Sequence, residues 1–344
     1  MNPKLKKNLS FALIVLSIGA VIVIAFSNPE LGDAWTAVRR MRLDWGAGIL
    51  LCWCVYVGFE CLGSWLYLRW EHFPIHFGSS LMATLIGYYY SNITPSAAGG
   101  QPMQVNALRR AGIPVGYGTM AVTVRLMANQ GMVALISLVL LLLHRDFVYA
   151  QLQGAIWLVR VGWIINFSAV PLVLLAAFQR RGLQKLVNGI IRLLAKLRLI
   201  RNPEQTQVQA MEVLDTYHSA LKDVLRSPGQ LLVQLGCSLI SLLGLFASVV
   251  FVYHAFGMTG TSWNRLLTLG ALLFVSASYT PLPGASGAQE GGFLLYFRGI
   301  FTDGMIGLAL LVWRFCTFYL FLLSGVVILP AERLAARKRK TEKA

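Results

Sequence analysis

Glu60, Arg125, Glu290 and Arg314 each interrupt an apolar stretch of a 344-residue chain. An ionised group at the centre of a hydrocarbon layer costs at least about 2.5–3.5 kcal/mol, so such residues face a cavity or a partner. Each guanidinium offers a planar fork of donors that matches a phosphate diester, as in the head of an anionic lipid. The competing use is a structural pair with a carboxylate, for which Glu60 and Glu290 are the candidates. Gln101, Gln104 and Gln289 add neutral donors and acceptors, able either to bind a head group or to bond frayed backbone. Thr94, Gly99 and Gly100 mark one chain break, and Thr280, Gly284 and Gly287 mark another. Backbone N–H groups freed at such breaks carry partial positive charge toward an anion, unless the glycines serve only close helix packing. These thirteen positions form the candidate head-group site.

Other chemistry finds little support. His144-Arg145-Asp146 echoes a kinase catalytic loop without a glycine-rich loop or Asp-Phe-Gly to accompany it. The glycines from 284 to 292 lack the Lys-Ser/Thr of a phosphate-binding loop. The five histidines are scattered and no cluster has metal-ligand spacing, so neither a metal nor a cofactor is expected, and no nucleophile is nominated. Cys52 and Cys54 point to different faces of a helix, and with Cys61, Cys237 and Cys316 they read as packing or lipid-facing residues rather than a disulfide framework.

The elements that must position these groups are membrane spans. The chain is 56% hydrophobic and 13% charged, with a mean hydropathy of +0.63; a soluble domain carries about 25% charged residues. Leu9 to Phe26, Gly46 to Leu66, Tyr117 to Leu143, Ile156 to Phe178, Leu231 to Phe256 and Met305 to Leu329 approach or exceed the roughly 20 residues that cross a hydrocarbon core. Lys4, Lys6 and Lys7 precede the first run, which is longer than a cleaved signal's apolar region and is read as an anchor. The net charge of +16 is segregated into the region around Arg180 to Arg201 and the tail from Arg333 to Lys343. Contact with anionic lipid heads explains that basicity more simply than nucleic acid, and the positive-inside rule puts both termini and the central linker in the cytoplasm.

If those three regions share one side, each half makes an even number of crossings. The segment from Ser79 to Pro114 then enters and leaves on one side, and the segment from Trp263 to Asp303 on the other. Each has an arm too short to span, Leu81 to Ile93 and Leu267 to Tyr279, which runs into prolines and glycines that end a helix. Each break opens Thr-Pro and reaches a glutamine, and an arginine follows 31 or 34 residues after the threonine. Chance likeness between two Gly/Pro breaks is the plain alternative. The pattern otherwise matches inverted-repeat transporters, whose paired discontinuous helices build a substrate site near the midplane.

The expected fold is therefore all-α: a polytopic transmembrane bundle with about six full spans and two broken re-entrant hairpins in an inverted repeat. Its parts are residues 1–178 and 228–330 as the two halves, 179–227 as a basic linker and 331–344 as a basic tail. Leucines and isoleucines at helical spacing make the linker either an interfacial amphipathic helix or a solvated connector.

The stretch from Ser91 to Gln104, followed by Leu108-Arg-Arg-Ala-Gly-Ile113, resembles the lysylphosphatidylglycerol synthase transmembrane family, as does Pro281-Leu-Pro-Gly-Ala-Ser-Gly-Ala-Gln-Glu290-Gly. That family includes the flippase region of the multiple peptide resistance factor and its stand-alone relatives. The resemblance implies a multi-pass protein of the bacterial cytoplasmic membrane that moves or handles phosphatidylglycerol or its aminoacylated form. The chain departs from many relatives in carrying Gln101 and Gln104 in place of Glu and Arg, and Val124 before Arg125. It runs only to Ala344, and the soluble domain of a lysyl-transferring synthase is not expected in it. Phosphatidylglycerol lysyltransferase activity is the enzyme alternative, and an accessory subunit binding a lipid-modifying enzyme is the other. Membrane lipid, not nucleic acid, is the expected partner.

Overall fold

The computed structural model describes residues 41–178, 227–278, 280–302 and 304–341, with isolated positions between 182 and 215. The expected first span, Leu9 to Phe26, and nearly all of the 179–227 linker lie outside the described residues. Among these residues every regular element is helical. Five helical stretches are long and apolar enough to cross a membrane: Asp44–Trp70, Val115–Leu143, Arg145–Ser168, Pro228–Ala255 and Ile306–Pro330.

Helices α1 (Leu43–Trp70) and α7 (Pro228–Ala255) form the axis of the bundle. Each has 28 residues, about 42 Å at 1.5 Å per residue. They run antiparallel along their whole length. The Arg42 N–H donates to the Ala255 carbonyl at 3.0 Å at one end, Gly244 lies on Val55 near the middle, and Gly229 lies beside Trp70 at the other end. Apolar residues predominate on both helices, a composition suited to burial or to lipid, and polar side chains among them, Glu60 on one and Gln234, Ser238 and Ser241 on the other, are buried.

Two helical hairpins flank this axis. The first joins α2 (Phe77–Ile93) through a break to α3 (Gly100–Arg110), and α4 (Val115–Leu143) follows. After the short α5 (Arg145–Leu152) and α6 (Ile156–Phe178), the second half begins with α7. The second hairpin joins α8 (Trp263–Ala277) to α9 (Ala288–Tyr296). Arms of 17 and 15 residues are about 25 and 22 Å long, short of a 30 Å core. The arm α2 starts four residues before the expected Leu81, and α8 starts four before Leu267.

The last span is α10 (Ile306–Arg314), a π-helical turn at Phe315–Tyr319, and α11 (Leu320–Thr341). The backbone thus loosens directly after Arg314, and such π-bulges recur at functional sites. Residues 331–341, read from sequence as a tail, continue α11 past Pro330.

The hairpins enter from opposite ends of the bundle. The open end of the first packs with the end of α1 and the start of α4, around Tyr67, Leu68, Ile75, Leu108 and Met120. The open end of the second packs with the end of α7 and with α5, around Tyr253, Phe293, Phe297 and Phe301. Gln151 of α5 holds it there, donating to the Tyr296 and Arg298 carbonyls at 3.2 and 2.8 Å. At their tips the two breaks touch, with the Ser96 N–H donating to the Pro281 carbonyl at 3.1 Å.

Candidate functional site

The tips meet beside Tyr56 and Leu245, near the middles of α1 and α7, and two cavities open there. Each contains one of the buried arginines. The cavity on the first-hairpin side, about 270 Å³, is lined by Arg125, Glu60, Gln101, Gln104, Gly100 and Asn129 among others. That on the second-hairpin side, about 280 Å³, is lined by Arg314, Gln289, Thr280, Gly284, Asn92 and Ser278 among others. Tyr56, Tyr88, Ser91 and Ala97 line both cavities and so form the wall between them. The Tyr56 and Tyr88 rings lie 5.3 Å apart, and each also packs against Phe321.

Both arginines are paired with carboxylates. Arg125 Nη2 forms a salt bridge with Glu60, and its Nη1 donates to Ser238 Oγ at 3.1 Å and the Gln234 carbonyl at 3.4 Å. Glu60 Oε1 also accepts from Asn129 Nδ2 at 3.0 Å and Ser241 Oγ at 2.9 Å. Side chains from α4 and α7 thus converge on one carboxylate oxygen of α1, which satisfies a charge that burial would otherwise make costly. Gly63, one turn along α1 from Glu60, leaves room for the guanidinium: a Cβ there would lie 2.7 Å from Arg125 Nη1.

The second pair is built differently. Arg314 Nε meets Glu290 Oε1 at 2.8 Å, off the N–H axis, so the contact is an ion pair rather than a linear hydrogen bond. Arg314 Nη2 donates to the Gly284 carbonyl at 3.2 Å, and the guanidinium lies 4.6 Å from the Phe318 ring centroid. The other Glu290 oxygen accepts the Gly287 N–H at 2.6 Å, capping the start of α9 from its third residue. Glu290 is therefore turned toward its own helix and does not line the cavity, whereas Glu60 lines the same cavity as Arg125.

The breaks owe their shape to local chemistry. Gly284 and Gly287 have φ of +60° and +87°, a region in which a Cβ is strained. Ser96, Ala97 and Ala285 share that strained region at φ of 51–54°. Thr94 is used within its own break: its hydroxyl donates to the Tyr90 carbonyl at 2.6 Å and accepts the Gly99 N–H at 2.9 Å. Thr94, Gly99 and Gly287 line neither of these two cavities and instead shape the breaks, and the remaining sequence-nominated residues apart from Glu290 line one or the other. Of the two uses that the sequence leaves open for the arginines, the carboxylate pairing is present at both, Arg125 with Glu60 and Arg314 with Glu290.

Sequence inspection missed Tyr56, Tyr88, Ser91 and Asn129, and the α7 residues Gln234, Ser238 and Ser241. A signal existed for the last three: polar residues at spacings of four and three line one face of an otherwise apolar span. Gln289 Oε1 and Gln234 Oε1 are buried without a hydrogen-bond partner, which leaves acceptor capacity in this region. Among the described residues no three His, Cys, Asp or Glu side chains are close enough to hold a metal ion. The five cysteines are free; Cys52 is buried and Cys54 exposed, as opposite faces of α1 require.

A UPF0104 membrane protein of Archaeoglobus fulgidus is similar to this chain, 22% identical over 325 residues that cover 90% of the chain and 92% of the relative. The family described as Lysylphosphatidylglycerol synthase TM region matches residues 9–325, a stretch that contains both hairpins, both arginines and both carboxylates, and the chain therefore belongs to that family.

Proposed function

We propose that the chain is a lipid flippase-like protein that takes the polar head of a phospholipid into the mid-bundle chamber and passes it between the two ends of the bundle. The observation that carries this is the contact of two hairpin tips, entered from opposite ends, beside two polar cavities that each hold a buried arginine. Polar volume at that depth is expensive in a bilayer and is kept where a polar cargo uses it. Irregular backbone at the middle of such a bundle is the arrangement in which transporters seat substrates.

The charge pattern narrows the cargo. Glu60 and Arg125 line one cavity together, which matches a head group bearing both an ammonium and a phosphate, such as an aminoacylated phosphatidylglycerol. The second cavity presents Arg314 without its carboxylate, which favours the phosphate alone. The basic residues that flank the spans support an orientation with both termini on the cytoplasmic side of a cell membrane.

Reconstitution tests this directly. In liposomes containing fluorescent phosphatidylglycerol or its aminoacylated form, the wild-type chain should exchange lipid between leaflets faster than empty liposomes, and Arg125→Ala or Arg314→Ala should slow that exchange at least tenfold. A wild-type rate equal to that of empty liposomes rejects the proposal.

A further inference from the structure

Beside the cavity of Arg125 lies a groove between α3 and α4. The groove measures about 420 Å³, and Gln101, Val122 and Leu126 line both it and the cavity and so stand between the two. The groove's own walls are Pro102, Val105, Thr119 and Thr123. Both threonines turn their hydroxyls inward along α4: Thr119 Oγ1 donates to the Val115 carbonyl at 2.8 Å and Thr123 Oγ1 to the Thr119 carbonyl at 2.9 Å. Both hydroxyl protons are thus spent on the helix, and Pro102, Val105, Val122 and Leu126 give the groove a mainly apolar lining beside Gln101.

We infer that this groove is an acyl-chain site and the lateral portal through which one lipid enters: its chain lies between α3 and α4 while its head occupies the cavity of Glu60 and Arg125. The inference rests on the reading of that cavity as a head-group site. A charged cavity directly beside a mainly apolar groove is the arrangement an amphiphile needs, and a water-soluble anion would have no use for the second part. Helices α3 and α4 are joined by a tight turn at Gly112 to Pro114, and Gln101 and Pro102 at the groove are exposed.

The test uses the full chain in bilayers containing a phosphatidylglycerol with a mid-chain diazirine on one acyl chain. After irradiation, lipid adducts should concentrate on peptides holding residues 102–105 and 119–126. They should fall at least fivefold in the double variant Val105→Trp, Thr123→Trp, which fills the groove, and also in Arg125→Ala, which removes the head's anchor. Adducts spread evenly over all apolar helices would overturn the inference. A photo-crosslinker at position 123 that captures residues 9–26 of the same chain would overturn it too, because that segment would then occupy the groove. The wild-type map decides even if the double variant does not fold. A chain that labels in the groove but moves no lipid loses the flippase proposal alone, and one that moves lipid without groove labelling loses the portal alone.

Discussion

Replacing one or both members of the Glu60–Arg125 pair with methionine separates the pair's structural worth from its functional one. The side chains are 10% and 5% exposed, so removing one partner strands the other charge away from water. Breaking such a pair from either side costs about 3–5 kcal/mol. Arg125→Met leaves Glu60 with only Asn129 and Ser241, and Glu60→Met leaves Arg125 with only Ser238 and the Gln234 carbonyl. The double variant strands no charge. It loses the acceptor for Asn129 and Ser241 and the donor to Ser238 and the Gln234 carbonyl, at about 0.5–1.5 kcal/mol for each bond, so it should cost about 2–6 kcal/mol where the two single changes together cost about 6–10. Unfolding in mixed detergent micelles, with all four species measured as a cycle, reads this coupling. Lipid exchange should stay lost in the double variant although its stability loss is smaller than the sum of the two single losses. Additivity of the two single changes within about 0.5 kcal/mol would refute the coupled-pair account.

Three further outcomes follow from the breaks. In a background without native cysteines, cysteines at positions 96 and 281 should be joined by a short bifunctional reagent, since the backbones there share a hydrogen bond; failure to join would separate the hairpin tips. Gly284→Ala meets both a φ of +60° and the Phe318 ring 2.1 Å from the new Cβ, so it should destabilise the fold by about 1–3 kcal/mol, and Phe318→Ala should restore only the steric part. Thr94→Val keeps the shape but loses the hydroxyl that bridges the Tyr90 carbonyl and the Gly99 N–H. It should cost about 1–2 kcal/mol in the same unfolding assay while leaving head-group binding intact.

The hairpins were legible because their evidence is local. Arms shorter than a hydrocarbon core and breaks rich in Pro and Gly can be read along the chain, and both are present at Thr94 to Pro102 and Thr280 to Gly292. The arginines were legible for the same reason, as charges inside apolar helices. Their partners were not: Glu60 lies 65 residues from Arg125 and 181 from Ser241, and nothing in spacing over such separations favours one pairing. Tyr56 and Tyr88 escaped notice because an aromatic residue in an apolar helix looks like core until the neighbouring element is known.

By itself the sequence determined that the chain crosses a membrane, where its backbone is interrupted and which side chains bring charge to that depth, because hydropathy and helix-breaking act over a few residues. The tertiary structure decided that the interruptions meet tip to tip, that each arginine is neutralised by a particular glutamate, and that Tyr56 and Tyr88 divide the chamber in two. Those outcomes depend on how helices distant in the chain pack side by side. Spans that are apolar on every face carry little information about which face will meet which neighbour.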